Sequence, residues 1–131
     1  MGRARLLKGT SRCVLVIPPV FALKLPLNEI GAKCNLFEAN IYATSCPRRQ
    51  SILCPVIWCS KTGSAMLMKY ARPLTDLEYN TYKCKLQFPD WEYKGPHDQA
   101  DPTESKRENW GIINGEVVAV DYSINVCTKK F

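Results

Sequence analysis

The sequence has few of the residues that build metal centres. His97 is the only histidine, and the seven cysteines include no Cys-x-x-Cys pair. Structural zinc sites need about four Cys or His ligands, so the loosely spaced Cys54 and Cys59 with a remote histidine disfavour zinc. The cysteine count is odd and most of these residues lie in apolar runs. We therefore expect buried, reduced thiols and a cytoplasmic protein.

Long apolar runs and targeting patterns are also missing. Residues 14–27 form an apolar stretch, but it contains three prolines and Lys24, and no small-residue cleavage pattern follows it. We expect no secretory signal and no membrane association, because no segment has the length of a membrane helix. Repeats and low-complexity segments are absent too. The 131 residues, 46% of them apolar, predict one globular domain, 1–131.

Basic residues outnumber acidic ones, with 18 Lys and Arg against 12 Asp and Glu and a formal charge of +6. This balance suits nucleic acid, an acidic protein or a nucleotide and does not choose among them. Most charge runs are solvated surface. Trp91, Tyr93 and Trp110 could serve a nucleic-acid-binding module, but no RNA- or DNA-binding motif is present, and these aromatics are explained more simply as core residues.

Strand patterns dominate the first half of the chain. Residues 12–25 form two β-rich runs on either side of Pro18-Pro19, which predicts a hairpin. Residues 52–59 and 64–70 are again strand-like, and the turn between them has a glycine, Gly63, where a positive φ is favoured. These runs predict an antiparallel sheet.

Two helices are predicted between and after these strands. Apolar positions from Ala32 to Thr44 recur at helical spacing, which predicts about three turns of helix with Glu38 beside the apolar stripe. Thr75 or Asp76 should cap a second helix that runs to about Leu86.

The last third begins with a polar segment, residues 88–108, which is rich in turn formers and predicts a long loop. Asn114-Gly115 then joins two β-rich runs, the strongest hairpin pattern in the chain. We therefore predict an α+β fold. Residues 1–70 would form an antiparallel sheet with one packed helix, and residues 71–131 a reduced part with a helix, a long loop and a terminal hairpin.

This order of elements resembles the fold of the protein kinases and their aminoglycoside-kinase-like relatives, from about Gly9 to Ser123. Phe21-Ala-Leu-Lys24 is similar to the Val-Ala-Ile-Lys motif of the third kinase strand, whose lysine holds the α and β phosphates of ATP. Glu38 follows on the predicted helix, where kinases place the glutamate that pairs with this lysine. The resemblance implies an ATP-binding cleft.

Two other parts of that cleft follow from the resemblance. The segment 66–74 is similar to the fifth kinase strand and the hinge after it, so the backbone near Tyr70 and Ala71 would meet the adenine edge. The phosphate-covering loop would lie just before the first predicted strand, in Gly-Thr-Ser-Arg-Cys-Val, where Gly9 is the only remaining glycine. Backbone amides approach phosphates closely at glycines, so we expect weak phosphate cradling.

Residues 102–109 align without a gap with the kinase catalytic-loop pattern His-Arg-Asp-x-Lys-Pro-Glu-Asn. Lys106, Glu108 and Asn109 match it, while Glu104 stands at the place of the catalytic aspartate. The resemblance gives Glu104 and Lys106 catalytic roles. Glutamate is one methylene longer than aspartate, and a base misplaced by about 1 Å can cost on the order of a hundredfold in rate.

The segment Val120-Asp121-Tyr122-Ser123 resembles the Asp-Phe-Gly motif, whose aspartate holds Mg²⁺. Asn109 and Asp121 would thus be the two metal ligands. Ser123 replaces the motif's glycine, and only ten residues follow Asp121, so we expect no activation segment and no platform for an acceptor. Asp98 and Asp101 could replace Glu104 as the base.

Three functions follow. The first is a non-catalytic kinase-like protein that binds a macromolecular protein partner, such as a virus- or mobile-element-encoded inhibitor of host machinery. The second is a minimal phosphotransferase that uses ATP and Mg²⁺, because Lys24, Glu38, Asn109 and Asp121 are all retained. The third is a basic nucleic-acid-binding module.

Overall fold

An α+β architecture with two antiparallel sheets organises the chain. The computed structural model describes residues 4–82, 102–103 and 106–123. The larger sheet has five strands in the order β1-β2-β3-β5-β4, and the smaller has three in the order β6-β7-β8. The predicted fold class is confirmed. The strands of the larger sheet are β1 (Arg5–Lys8), β2 (Arg12–Ile17), β3 (Phe21–Pro26), β4 (Val56–Cys59) and β5 (Met66–Lys69).

The strands of the larger sheet follow the predicted hairpins with one addition. β2 and β3 pair across the Pro18-Pro19 corner, and β4 and β5 pair across a turn in which Gly63 has φ 76°. The addition is β1, an edge strand paired only with β2. All four of its residues are exposed, so its sequence carries no alternating pattern that would mark it as a strand.

The long helix α1 (Glu29–Thr44) packs against β3 and β4. It begins three residues before the predicted start, because the Asn28 side chain caps it by accepting a hydrogen bond from the backbone N–H of Gly31 at 3.0 Å. A Cβ on Gly31 would collide with the carbonyl oxygen of Ser11 and with Pro26. This close approach fixes the start of α1 against the sheet.

A short helix, α2 (Pro47–Gln50), lies between α1 and β4. The elements after β5 are β6 (Arg72–Pro73), α3 (Asp76–Tyr82), a 3-10 helix (Arg107–Asn109), β7 (Trp110–Ile113) and β8 (Glu116–Ala119).

Thr75 caps α3 as predicted, since its hydroxyl accepts from the N–H of Glu78 at 3.1 Å and the Glu78 carboxylate accepts from the N–H of Thr75 at 2.9 Å. The predicted extension to Leu86 lies outside the described residues. Arg72 and Pro73, just before this helix, form β6 and pair with β7.

The terminal hairpin has the predicted turn. Asn114 and Gly115 have φ of 51° and 81°, the left-handed values that a two-residue hairpin turn of this type requires. Trp110 at the start of β7 is buried, as expected of a core aromatic. Trp91 and Tyr93 fall outside the described residues.

One hydrophobic core joins the two sheets. Buried apolar side chains from α1, β5, β7 and β8 pack together with residues from the connecting segments, and Leu53 bridges to Ala119 across the sheets. The core residues are Ile41, Leu53, Cys54, Met66, Met68, Leu74, Trp110, Val118, Ala119 and Tyr122. Within the part of the chain that the structure describes, no helix is both long and apolar enough to cross a bilayer.

Candidate functional site

A buried ion pair links the middle of the larger sheet to α1. The ammonium of Lys24, on β3, donates to Oε1 of Glu38 at 2.9 Å. Lys24 is 5% exposed and Glu38 is fully buried. Strand alternation turns Lys24 away from its chain neighbours, and Glu38 lies on the buried stripe of α1, one turn after Cys34. The structure thus brings together the two residues that the sequence paired.

Arg12, on β2, approaches the same carboxylate from another side. Its Nη1 and Nη2 donate to Oε1 and Oε2 of Glu38 at 2.7 and 3.1 Å, the two-point contact in which guanidinium and carboxylate bind most strongly. Asn35 accepts a further bond from Nη1 at 3.0 Å, while its amide donates to the carbonyl oxygens of Lys24 and Gly63. Asn35 therefore fixes Arg12 relative to the sheet.

Glu38 is held as a carboxylate by this set of donors. The backbone N–H of Tyr122 adds a bond to Oε2 at 2.8 Å. Burial alone would raise the pKa of Glu38, but the charges of Arg12 and Lys24 outweigh it and lower the pKa to about 2. Burial also opposes the charge on Arg12, yet Glu38 and Asp121 keep the pKa of Arg12 above its ordinary value. Both groups stay charged at neutral pH.

Asp121 joins the cluster from the end of the hairpin. Its Oδ1 accepts from Nη2 of Arg12 at 3.4 Å and from the hydroxyl and backbone N–H of Ser123 at 3.0 and 3.2 Å. Lys24 donates to the carbonyl oxygen of Val120 at 2.6 Å. We call Arg12, Lys24, Glu38 and Asp121 the charge cluster; its four groups come from β2, β3, α1 and the segment after β8.

The charge cluster borders a cleft between the two sheets with a volume of about 620 Å³. Arg12, Lys24 and Asp121 lie in its wall, together with apolar side chains of β2, β3 and β5. A volume of this size is typical of small-molecule sites. Among the described residues, six cationic residues and two acidic ones, Glu108 and Asp121, line the cleft; the cations are Arg5, Lys8, Arg12, Lys24, Lys69 and Arg107. The cleft is therefore basic.

The other residues predicted to bind nucleotide also border this cleft. Gly9 lies at its edge in the turn between β1 and β2, where its N–H donates to the carbonyl oxygen of Arg12 at 2.8 Å. Tyr70 and Ala71 line the opposite end, after β5. The Tyr70 N–H donates to the carbonyl oxygen of Val20 at 3.4 Å, so that backbone group already has a partner.

The residues of the predicted catalytic loop are more dispersed. Lys106 is exposed, and Asn109 is 9% exposed. Neither belongs to the cleft wall. The carbonyl oxygen of Asn109 accepts from the N–H groups of Val120 and Asp121 at 2.8 and 3.4 Å, which ties the 3-10 helix to the cluster. Glu104, Asp98 and Asp101 lie outside the described residues.

Asp121 is the residue at which the described part of the cleft would hold a divalent cation. Within residues 4–82, 102–103 and 106–123, no three His, Cys, Asp or Glu side chains gather as metal ligands. Mg²⁺ bound to Oδ1 would lie at about 2.1 Å from it and hence within about 6 Å of the Arg12 guanidinium, whose positive charge repels it. In this arrangement the residues fit Mg²⁺ poorly. The pair Asn109 and Asp121 stays a prediction.

Several residues of the site were not predicted. Arg12, Asn35, Tyr122 and Ser123 were given no role in the cluster. The alternating burial of β2, in which Arg12 and Val16 are the buried positions, is a pattern that could have marked Arg12, since residues two or four apart face the same side of a strand.

The cysteines of the described residues belong to no metal-binding cluster. Cys34 and Cys54 are buried and are not in disulfides, as predicted, whereas Cys46 is exposed. Cys84 and Cys127 lie outside the described residues. No protein-family model matches the chain, and no curated protein matches it either.

Proposed function

We propose that this chain is a non-catalytic, kinase-like protein whose cleft binds a nucleotide. One observation carries the proposal: the contact between Lys24 and Glu38 at the wall of a nucleotide-sized, basic cleft. The resemblance to kinases predicts this pair from two motifs that lie on different elements. A strand lysine oriented by a helix glutamate is the arrangement that presents an ammonium to phosphate.

The order of the elements supports the same proposal. A hairpin of β2 and β3, a helix, two more antiparallel strands and a terminal hairpin ending at Asp121 follow one another in the order that the resemblance requires. The cleft lies between the larger sheet and the smaller one, with Tyr70 and Ala71 at the connection. A nucleotide with its base near this connection would extend its phosphates toward Lys24.

Binding without catalysis is favoured by the state of Asp121. Phosphoryl transfer depends on cations that neutralise charge on the transferred group, and kinases use this aspartate to hold them. Here the carboxylate is engaged by Arg12 and Ser123. The loop between β1 and β2 offers one glycine, Gly9, where close approach to phosphates favours several. These features weaken the alternative of a minimal ATP- and Mg²⁺-dependent phosphotransferase.

Titration with a fluorescent ATP analogue tests the proposal. We expect wild-type protein to bind it, and Lys24→Met to weaken binding by about tenfold or more, because one charge-assisted contact to phosphate is lost. Lys61→Ala is the matched control, since Lys61 is an exposed lysine in the β4–β5 turn away from the cleft. Phosphate release should stay at background. Absence of binding by the wild type, or equal affinities for both variants, would overturn the proposal.

The basic cleft also suits a nucleic-acid backbone, which was the third function predicted from charge. Competition distinguishes the two ligands. A short single-stranded RNA should not displace the ATP analogue if the cleft is a nucleotide site, and displacement at equal phosphate concentration would favour the nucleic-acid module.

The macromolecular protein partner stays a prediction. Cys34 and Cys54 are buried and are not in disulfides, which favours the reducing cytoplasm that we propose as the location.

A further inference from the structure

We propose that Arg12 takes the place of a divalent cation in the cleft, so that the site binds nucleoside polyphosphates without metal. This inference rests on the nucleotide-binding function proposed above. Arg12 lies in β2 and was not itself predicted to bind metal or phosphate.

The position of Arg12 supports this role. Its guanidinium is 8% exposed and lies between the Glu38 carboxylate, at 2.7 and 3.1 Å, and Oδ1 of Asp121, at 3.4 Å. Arg12 thus contacts the carboxylates of both Glu38 and Asp121. Its guanidinium occupies the space next to Oδ1 of Asp121, the atom that would hold a metal ion.

Charge balance points the same way. Lys24, Glu38 and Asp121 together carry one negative charge in excess, and an excess charge beside the fully buried Glu38 is costly unless a counter-charge accompanies it. Arg12 supplies that counter-charge and makes the four-residue charge cluster neutral. An added divalent cation would give the cluster an excess of positive charge, so the cluster no longer needs a metal to be balanced.

Ser123 stabilises this arrangement. Its hydroxyl accepts from Nη2 of Arg12 at 3.1 Å and donates to Oδ1 of Asp121 at 3.0 Å. The hydroxyl thus bridges the two charged groups, which a glycine at this position could not do. Ser123 is 1% exposed, so the bridge is shielded from water.

Arg12 acts through its charge more than as a direct phosphate ligand. Nη1 and Nη2 already donate to Asn35, Glu38, Asp121 and Ser123. The direct contacts to phosphate would come from the exposed cations of the cleft wall, such as Lys8 and Lys69, and from Lys24. A nucleoside di- or triphosphate has the charge that these residues can pair with.

The first test compares ATP binding by wild-type protein in EDTA and in excess Mg²⁺, measured by calorimetry. We expect the dissociation constant in EDTA to be no more than about threefold higher than in Mg²⁺, because the described cleft residues supply their own positive charge and Mg²⁺ bound to ATP lowers the negative charge that they attract. Binding that is more than about tenfold tighter with Mg²⁺ overturns the inference and leaves the proposed nucleotide site intact. Absence of binding under both conditions overturns the inference and the proposed function together.

The second test uses Asp121→Asn with Glu108→Gln as its matched control, since each removes one carboxylate from the cleft wall. If Asp121 is the partner of Arg12, both variants should bind ATP as well as the wild type or a few times more tightly, with or without Mg²⁺, because a negative charge has left a basic cleft. If Asp121 holds metal, Asp121→Asn alone loses affinity in Mg²⁺. That loss would overturn the inference.

Arg12→Gln provides a third readout. We expect ATP binding in EDTA to weaken by about tenfold or more and to be restored in part by Mg²⁺, which can then replace the missing charge. The side chain is buried, and the variant can fail to fold, which circular dichroism would reveal. In that case the Asp121→Asn comparison decides, because the Asp121 side chain is 46% exposed and its replacement by asparagine preserves shape.

Discussion

Removal of the Glu38 charge should cost the protein a large part of its stability. Glu38 is fully buried and accepts four hydrogen bonds, two from Arg12 and one each from Lys24 and the Tyr122 N–H. In Glu38→Gln the two buried cations lose their shared counter-charge, while the side chain keeps its shape. Breaking a buried ion pair from one side typically costs about 3–5 kcal/mol. The total stability of a domain this size is about 5–15 kcal/mol.

Urea unfolding followed by tryptophan fluorescence measures this loss. Glu78→Gln is the matched control, because Arg72 contacts the Glu78 carboxylate at 2.9 and 2.8 Å in the same two-point geometry but on the surface. Solvent-exposed pairs of this kind contribute little, so Glu78→Gln should unfold close to the wild-type midpoint. A shift for Glu38→Gln no larger than that of the control would refute the reasoning.

A double-mutant cycle with Arg12→Met isolates the contact itself. The two residues share two hydrogen bonds, so the cost of the double variant should fall short of the summed single costs by about 1–3 kcal/mol. Strictly additive costs would show that Arg12 and Glu38 do not interact in solution.

Two further predictions concern protonation. The pKa of Glu38 is about 2, against 4.5 in the unfolded chain, so its ionisation adds stability that is complete above pH 4.5 and is lost as pH falls toward 2, on the order of 3 kcal/mol in all. Urea midpoints measured between pH 7 and 3 should therefore fall for the wild type and much less for Glu38→Gln. Parallel curves for the two proteins would contradict this assignment. Hydrogen bonding from the Arg49 backbone lowers the pKa of the exposed Cys46 thiol, whereas burial raises the pKa of Cys54 to about 12. Iodoacetamide in native buffer should therefore label Cys46 well before Cys54, as detected by peptide mass spectrometry. Equal labelling of the two thiols would contradict the burial of Cys54.

The parts of the fold that could be predicted are those fixed by local pattern. The turn at Asn114-Gly115 needs only two residues that tolerate positive φ, and the strands around Pro18-Pro19 need only their β-branched runs. The pairing of Lys24 with Glu38 was predicted as well, from the resemblance of their two segments to the kinase strand lysine and helix glutamate.

The parts that could not be predicted depend on distant contacts. β1 has both basic ends and apolar centre exposed, and only its pairing with β2 makes it a strand. Arg12 precedes an apolar run, where a basic residue is ordinarily on the surface. Its partners Glu38, Asp121 and Ser123 lie 26, 109 and 111 residues away along the chain. No local sequence pattern therefore indicates that these side chains come into contact.

Stability alone gives no reason for the charge cluster. A buried ion pair is often no more stable than well-packed apolar residues of the same volume, and the chain buries apolar side chains such as Met66 and Met68 on β5, the strand that pairs with β3 in the same sheet. Burying two cations that share one carboxylate therefore carries a desolvation free energy that a purely structural, apolar core would avoid. Ionisable groups with perturbed pKa values that gather at a cleft are typical of functional sites. The half-exposed Asp121 opens this cluster to the cleft, so its charges can act on a bound anion.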